Sequence, residues 1–511
     1  MNAPGDSVPE GPGEDRPAGG QFAVIVAALV IVSLVAVSGR SLWIDEACTA
    51  MKAIQPTLAR WWQALVQEKT ADVQMPFYML YTWSWARVFG SSEWSLRLAN
   101  LPWFVTGAVV FIFSFPAADR SRGIAALLVL VCPFAWYYLD EARPYALQLG
   151  ASLLIVGSLK RVQQECDDAR GSAVTSPHLA FFLVGIILLS GSSLLGMVWT
   201  AAALVALVLL LPKAQLRDVL KQKWGLCLAG AVPLLALAVY YVWSLAAGAR
   251  ASAAATTTVA SAFFAIYELL GFAGLGPGRL EMRSAGPAAL RGHLPGIALY
   301  GLMTLLVIGA AMSTLRRSNH RRQLALALCC AVPPAFILGV GWVAHFRVLG
   351  RHLAPFVPIW LLLLTFGVAA LWTRGTLAAR AAVVVFCVLS LFSCLSVRYA
   401  PRHEKDNYRA AAAVARTALS DGQPVWWNAA EEGARYYGVP LGQHGGTGGG
   451  ALFLMNPARP ALDALPPPRL IVSSKPDIYD AQQALANYIR DRGFSPVKDF
   501  AAFVIWERNT K

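Results

Sequence analysis

Two Asp-Glu pairs occur in similar apolar surroundings: Asp45–Glu46 in "LWIDEA" and Asp140–Glu141 in "YYLDEARPY". Each pair follows an apolar run, where charge is costly unless it pairs, meets water or binds a cation. Two carboxylates at one site can differ in pKa, so one of them can act as a general base. Their oxygens could instead hold a hard divalent cation that clamps a phosphate. For either pair alone, a helix end that simply reaches water is also an explanation.

Basic side chains accompany the acidic pairs. Arg143 follows Glu141 by two residues, and other basic residues lie in "HFRVLGRHLAP" (345–355) and after the turn-forming "GLGPG" (274–278). Guanidinium groups bind phosphate through paired hydrogen bonds. Arg143 could instead form a salt bridge with Asp140 or Glu141, and the other arginines could contact lipid headgroups. The candidates for phosphate binding are Arg143, Arg279, Arg283, Arg347, Arg351 and His352.

The composition is that of a polytopic membrane protein. The chain has 511 residues, of which 57% are hydrophobic and 14% charged. Apolar runs follow one another along most of it, each long enough to cross ~30 Å of hydrocarbon. The net charge of +14 comes mainly from short loops between these runs, which is the pattern of membrane proteins and argues against a nucleic-acid partner. The eight cysteines have no metal-ligand spacing and indicate no disulfide framework.

Eleven apolar runs are predicted to span the membrane. The positive-inside rule places the basic loops and the N-terminus in the cytoplasm and both acidic pairs on the outer side. Segment 76–90 is short and rich in Tyr and Trp, so it is predicted to lie on the outer leaflet, one of several interfacial helices in 41–93 and 247–293. Arg97, at the start of the second span, is expected to extend toward the surface. The predicted spans are 21–39, 94–116, 123–139, 144–160, 178–193, 194–211, 225–246, 294–315, 323–343, 353–372 and 378–397.

The two ends of the chain differ from its middle. Residues 1–20 are rich in Pro and Gly and predict a disordered tail. The predicted membrane domain covers 21–398. Residues 399–511 alternate helical and strand patterns around a Gly-rich stretch, and predict a small soluble α/β domain outside the membrane. The predicted fold class is therefore an all-α polytopic membrane domain with a small C-terminal α/β domain.

The motifs, taken in order, resemble those of the GT-C fold glycosyltransferases, in the branch of protein O-mannosyltransferases and lipid A aminoarabinose transferases. The resemblance is carried by "LWIDEA", by "MPFYMLYTWSWARVFGSSEWSLRLAN", by "YYLDEARPYAL" and by "GRHLAPFVPIWLLLL". It implies an integral membrane enzyme that moves a monosaccharide from a polyprenyl-phosphate donor to a lipid, glycan or protein acceptor. Transfer would occur with inversion at the outer face of a bacterial inner (plasma) membrane, as part of cell-envelope synthesis.

The resemblance also implies roles for individual residues. Asp45 would be the catalytic carboxylate with Glu46 beside it, and Asp140 or Glu141 would complete the site. The donor phosphate would contact Arg143, and the nearby basic residues Arg279, Arg347, Arg351 and His352 are assigned to it as well. A divalent metal (Mg, Mn or Zn) held by Asp45, Asp140 and Glu141 is an open alternative, and no other cofactor is implied. One departure is Gln74-Met75-Pro76, where the family commonly has His or Lys before Pro-Pro.

A lipid or glycolipid transporter or flippase is the alternative from another class. Such a protein is expected to carry ionisable residues or broken helices near the membrane midplane. The predicted spans are nearly free of charge in their middles, and the polar residues gather at one face. This pattern favours chemistry at the membrane surface on a lipid-borne substrate.

Overall fold

The structure is a computed structural model that describes residues 19–67, 70–116, 119–167, 175–248, 256–442 and 449–508. Most of the predicted N-terminal tail and of the Gly-rich stretch lies outside these residues. The helices of the membrane part and its outer segments are α1 (Gly19–Ala36), α2 (Ile44–Ala53), α3 (Leu58–Gln67), α4 (Pro76–Phe89), α5 (Glu93–Leu98), α6 (Leu101–Phe113), α7 (Ser121–Leu130), α8 (Pro133–Leu139), α9 (Tyr145–Asp167), α10 (Ser176–Ser192), α11 (Leu194–Leu210), α12 (Lys213–Gln222), α13 (Trp224–Ala246), α14 (Val259–Leu269), α15 (Arg279–Ala285), α16 (Leu294–Leu315), α17 (His320–Val343), α18 (Val357–Thr373) and α19 (Leu377–Tyr399). Short 3₁₀ segments include Ala71–Gln74, Gly350–Phe356 and Pro401–His403.

The apolar helices make this a multi-pass membrane protein, but the predicted count of eleven spans is not confirmed. Among the described residues, seven helical segments are long and apolar enough to cross a membrane, or up to nine if each bent pair is one span. The predicted span 123–139 is such a pair, α7 and α8, bent by 46°. Pro133 begins α8 and has no N–H to continue a helix through this point. α10 is only 17 residues long, and α9 ends in charged residues.

Close packing of α6 against α9 fixes the part of the membrane domain beneath the outer segments. A Cβ at Gly107 would lie 2.0 Å from the Gly150 carbonyl oxygen, and a Cβ at Gly150 would lie 2.4 Å from the Trp103 carbonyl oxygen. Only glycine lets the two backbones approach this closely, as in other membrane helix pairs. The contact holds the N-terminal end of α9, which follows directly on the Asp140–Glu141 turn.

Short helices and turns make up the segments 41–93 and 256–293, which the sequence predicts to lie outside the membrane. The segment predicted to be an interfacial helix forms α4, whose 14 residues are too few to span a bilayer. α2, α3 and α5 surround it in the segment 41–98, and α14 and α15 lie in the second outer segment. These elements contribute most of the acidic and basic side chains discussed below.

A small sheet with helices on both sides follows the last membrane helix, as the sequence predicts. Its elements are α20 (Tyr408–Ser420), β1 (Val425–Asn428), α21 (Glu431–Tyr436), β2 (Leu441–Gly442), β3 (Ala451–Phe453), α22 (Arg459–Ala464), β4 (Leu470–Ser474), α23 (Pro476–Tyr479), α24 (Ala484–Asp491), β5 (Phe494–Phe500) and β6 (Phe503–Arg508). The strand order is β2-β3-β1-β4-β6-β5. The neighbouring strands β2, β3, β1 and β4 pair in parallel, whereas β6 is antiparallel to β4 and to β5. Successive side chains of β1 enter two cores on opposite faces of the sheet. Trp427 packs with Tyr408 on one face, and Trp426 packs with Tyr488 on the other.

Candidate functional site

Asp45 and Arg351 form an ion pair that is partly open to solvent. Asp45 lies in the first turn of α2, where the helix N-terminus favours an acidic side chain. Arg351 Nη1 donates a hydrogen bond to Asp45 Oδ2 at 2.8 Å. The Arg351 guanidinium lies 5.4 Å from the ring centre of Trp43 and 5.5 Å from that of Tyr145. The Asp45 side chain is 26% exposed, and no residue that the structure describes hydrogen bonds to its Oδ1, so this oxygen is available to a ligand.

Glu46 points away from solvent and is fully buried. Its Oε1 and Oε2 accept hydrogen bonds of 2.8 Å each from Nε and Nη2 of Arg97. Oε1 also accepts the Ala142 N–H at 2.7 Å. Both oxygens are therefore occupied by permanent partners, so Glu46 connects α2 to the turn that carries the second acidic pair.

Arg97 is fully buried, so the expectation that it extends toward the surface was wrong. Besides Glu46, it donates hydrogen bonds of 2.8 Å to the carbonyl oxygens of Ser38 and Arg40 and one of 3.2 Å to that of Ser41. A buried carboxylate and three carbonyl oxygens outweigh the advantage of reaching water. Arg97 thus fixes the loop that leads from α1 into α2 and so positions Asp45.

Asp140 holds the same loop from the other side. It accepts hydrogen bonds from the Ser38 N–H at 2.6 Å and from Ser38 Oγ at 2.9 Å. Lys405 Nζ lies 3.7 Å from Oδ2, and Arg97 Nε lies 3.8 Å from Oδ1. Although burial favours the neutral acid, the charges of Lys405 and Arg97 and the Ser38 hydrogen bonds keep the pKa of Asp140 below its ordinary value.

Glu141 is a buried carboxyl group without a hydrogen-bond partner on either oxygen among the described residues. Its nearest charged atoms are Arg279 Nη1 at 3.7 Å and Lys405 Nζ at 3.9 Å from Oε1. Burial raises the pKa of Glu141 to about 7, against the opposing charges of Lys405 and Arg279. The protonation of Glu141 therefore changes near neutral pH.

Glu141 should make the stability of the folded protein fall as pH rises. Its folded pKa of about 7 exceeds the ordinary 4.5, so the folded state binds the proton more tightly than the unfolded chain. Its stabilising contribution is full below pH 4.5 and is lost as pH rises to about 7. Glu141→Gln stays neutral and should lose less thermal stability than wild type between pH 5 and pH 8. Thermal unfolding of the purified protein measures this, with the exposed Glu431→Gln as control. An unchanged pH dependence in Glu141→Gln would contradict the assignment.

Arg143 has a different acidic partner from those considered in the sequence. Its Nη1 donates hydrogen bonds to Asp72 Oδ1 at 2.8 Å, to Thr49 Oγ1 at 3.0 Å and to the Asp45 carbonyl oxygen at 3.2 Å. Lys52 Nζ lies 2.9 Å from Asp72 Oδ2. Burial opposes ionisation of Asp72, but the Arg143 and Lys52 charges outweigh it and hold its pKa at about 2. Arg143 therefore supports α2 behind Asp45.

The remaining predicted basic residues divide into two groups. Arg279 donates hydrogen bonds to Glu268 Oε1 and the Tyr138 hydroxyl at 2.8 and 2.9 Å, and its guanidinium lies 4.4 Å from the ring centre of Tyr137. It thus belongs to the same cluster as Glu141. His352 Nδ1 accepts the Leu349 N–H at 3.1 Å, which closes its own turn. Two others lie at the surface: Arg283 pairs with Asp477, and Arg347 is exposed.

Lys405, which the sequence analysis did not single out, reaches the site from the segment before α20. Only 7% of its side chain is exposed. Its Nζ donates to the Asp140 carbonyl oxygen and lies 5.5 Å from the ring centre of Tyr137. A charged stretch after the last span, "HEKDNY", was the only signal for it. The segment that leads into the C-terminal domain therefore contributes a cation to the site.

The C-terminal domain also contacts the loop before α2. The Tyr437 hydroxyl accepts the Leu42 N–H at 2.8 Å and donates to Glu93 Oε1 at 3.1 Å. Arg409 Nη2 pairs with the same carboxylate at 3.0 Å. These contacts fix the residues just before Asp45 from the side of the C-terminal domain, and buried Arg97 fixes the same loop from the side of the membrane part.

The three residues named for a possible metal ion each face other side chains in the structure. Asp45 is paired with Arg351, Asp140 is bonded to Ser38, and Glu141 faces Arg279 and Lys405. No group of three His, Cys, Asp or Glu side chains that could hold a metal ion occurs in the described part of the chain. Cationic side chains face each of these carboxylates.

The comparisons with known proteins agree at the level of fold. No protein-family model and no curated protein sequence matches the chain. The structure is similar to that of ArnT from Cupriavidus metallidurans in the apo state, with 16% identity and a TM-score of 0.54, and bound to undecaprenyl phosphate, with 14% identity and a TM-score of 0.51. Both alignments cover 96% of this chain and 98% of ArnT. AglB from Archaeoglobus fulgidus aligns over 81% of this chain and 59% of its own, with 11% identity and a TM-score of 0.44. The predicted resemblance to the GT-C fold is confirmed.

Proposed function

We propose that the protein is an integral membrane glycosyltransferase that moves a monosaccharide from a polyprenyl-phosphate donor to an acceptor, with inversion. The observation that carries the proposal is the partly open Asp45 carboxylate, paired with Arg351 and adjoining a cluster of cations and aromatic rings. The fold of the protein is similar to that of ArnT, which was solved with undecaprenyl phosphate bound. This similarity supports the proposed class of donor. We place the reaction at the outer face of a bacterial inner membrane, in cell-envelope synthesis, with a lipid, glycan or protein as acceptor.

Asp45 is the proposed general base. Its Oδ2 is held by Arg351, which fixes the orientation of the carboxylate, while Oδ1 remains able to accept the proton of an acceptor hydroxyl. The deprotonated oxygen attacks the anomeric carbon from the side opposite the phosphate. The C–O bond to the phosphate then breaks, and the configuration at the anomeric carbon inverts.

The departing phosphate needs positive charge close to it. Arg351, Arg279 and Lys405 are the proposed donors, because they surround Tyr137, Tyr145 and Glu141 at distances of 3.7–5.5 Å. Such preorganised charges stabilise a developing anion without reorganising during the reaction. Arg143, bound to Asp72 and to the Asp45 carbonyl oxygen, is proposed to position Asp45.

Binding of the spent carrier tests this assignment. Undecaprenyl phosphate should bind the purified wild-type protein, and Arg351→Gln and Lys405→Gln should each weaken the affinity about tenfold or more, since each removes a charged hydrogen bond to the phosphate. Equilibrium binding in detergent micelles measures the dissociation constants. Arg283→Gln is the matched control, because Arg283 lies in the outer segment but pairs with Asp477 instead.

Two results would contradict the proposal. If the wild-type protein does not bind undecaprenyl phosphate, the proposed class of donor is wrong. Equal affinities for wild type, Arg351→Gln and Lys405→Gln would separate these cations from the phosphate site.

A further inference from the structure

A cavity lies within the membrane part, apart from the candidate active site. Its volume is about 400 Å³, and helices α9, α11, α17 and α18 form its walls. Most of its lining is apolar, with Ile155, Leu159, Ala203, Leu326 and Phe366 among the side chains. A cavity of this size is large enough for a ligand, and an empty one would forfeit the contacts of its lining atoms.

The lining of the cavity does not extend to the candidate active site. Its outer end is formed by Ser152, Leu189 and Pro355, and none of the charged residues around Asp45 lines it. From Ser152 it follows α9 to Asp167, about 15 residues and roughly 22 Å at 1.5 Å per residue. It therefore reaches the opposite end of the bundle, where the basic loops lie.

The charged lining side chains and most of the polar ones lie at that far end. They are Lys160, Gln163, Gln164, Asp167, Thr314, Ser318 and Arg322. Gln164 Oε1 is buried and has no hydrogen-bond partner among the described residues. Arg322 pairs with Asp167, and Lys160 Nζ donates to the Ser114 carbonyl oxygen at 2.9 Å and lies over the Phe115 ring.

The surroundings of this end are strongly basic. Arg316, Arg317 and Arg321 are exposed in the adjoining loop and first turn of α17. Among the residues that the structure describes, Asp167 is the one acidic residue lining the cavity. An apolar channel that opens among several cations matches a molecule with a long hydrocarbon chain and an anionic head.

We propose that this cavity binds one chain of an anionic phospholipid, with its phosphate headgroup at Lys160 and Arg322. Basic pockets between membrane helices on the cytoplasmic side recognise such headgroups, and the positive-inside rule places this end there. The hydrocarbon chain fills the space between α9, α11, α17 and α18. The donor phosphate is proposed to lie beside Arg351, so the polyprenyl chain of the donor would have to reach this cavity past Ser152, Leu189 and Pro355.

Native mass spectrometry of the full-length protein tests the proposal. The protein is reconstituted in nanodiscs of phosphatidylcholine with a minority of phosphatidylglycerol, transferred to detergent and measured. Wild type should retain one phosphatidylglycerol. Arg322→Gln, which removes a headgroup contact, and Ala203→Trp, which fills the cavity, should each lower its retention about tenfold or more.

Matched variants control for charge and bulk elsewhere. Arg374→Gln removes an exposed arginine outside the cavity, and Leu235→Trp enlarges a lipid-facing residue of α13 that is 67% exposed. Both should retain phosphatidylglycerol as wild type does. If Ala203→Trp fails to fold, Arg322→Gln against Arg374→Gln still decides the question.

Three outcomes would overturn the proposal. Unchanged retention in Arg322→Gln would remove the headgroup site, and equal retention of phosphatidylcholine would show an unselective cavity. Displacement of phosphatidylglycerol by added undecaprenyl phosphate would assign the cavity to the carrier chain. The measurement does not depend on sugar transfer, so its failure and failure of the proposed enzyme activity are distinguishable.

Discussion

Asp45→Asn is expected to lower the rate of sugar transfer about 10²–10⁴-fold, the usual contribution of a general base. Asparagine has nearly the shape of aspartate but cannot accept a proton from the acceptor hydroxyl. The loss should appear in kcat more than in KM, because the acid acts on the reacting atoms in the transition state. Affinity for undecaprenyl phosphate should change little, since Arg351 remains. Steady-state transfer from a polyprenyl-phosphate-linked sugar measures both parameters.

Asp421→Asn is the matched control for Asp45→Asn, because it makes the same chemical change at an exposed residue after α20. Its turnover should equal that of wild type. Wild-type turnover in Asp45→Asn would remove this carboxylate from the mechanism. Movement of the lipid across proteoliposome membranes, unaffected by Asp45→Asn and without sugar transfer, would favour the flippase alternative.

The sequence drew attention to both acidic pairs but could not distinguish the surroundings of neighbouring acids. Apolar runs and the recurring Asp-Glu pairs place Asp45 and Glu141 correctly at helix ends and turns. Adjacent side chains on a helix diverge by about 100°, so Asp45 reaches solvent while Glu46 enters the core. Which of the two faces outward depends on the rotation of α2 about its axis, and tertiary packing sets that rotation.

Contacts between residues far apart in the sequence could not be predicted for a related reason. Lys405 and Asp140 are separated by 265 residues, and only the folded chain brings them together. Asp72 similarly meets Arg143 across 71 residues. The predicted number of spans was not confirmed either, because hydropathy counts apolar length but does not detect the bend at Pro133 or the charged end of α9.

Arg97→Met should destabilise the protein by about 3–5 kcal/mol, the usual cost of leaving one member of a buried ion pair alone. Glu46 would remain fully buried with its charge unmatched, and three carbonyl oxygens would lose their donor. Thermal unfolding of the purified protein should detect this as a markedly lower Tm. Arg409→Met is the control, since its ion pair with Glu93 is half-exposed and worth at most about 1 kcal/mol.

The double variant Glu46→Leu/Arg97→Met distinguishes a structural Glu46 from a catalytic one. Removing both charges abolishes the unpaired carboxylate, and such replacements are often neutral in stability. Part of the lost Tm should therefore return, and with it part of the transfer activity, because Asp45 and Arg351 are untouched. A double variant that is as stable as wild type yet inactive would instead show that Glu46 takes part in the reaction. Recovery of both stability and activity would assign the Glu46–Arg97 pair to structure and exclude Glu46 from the chemistry.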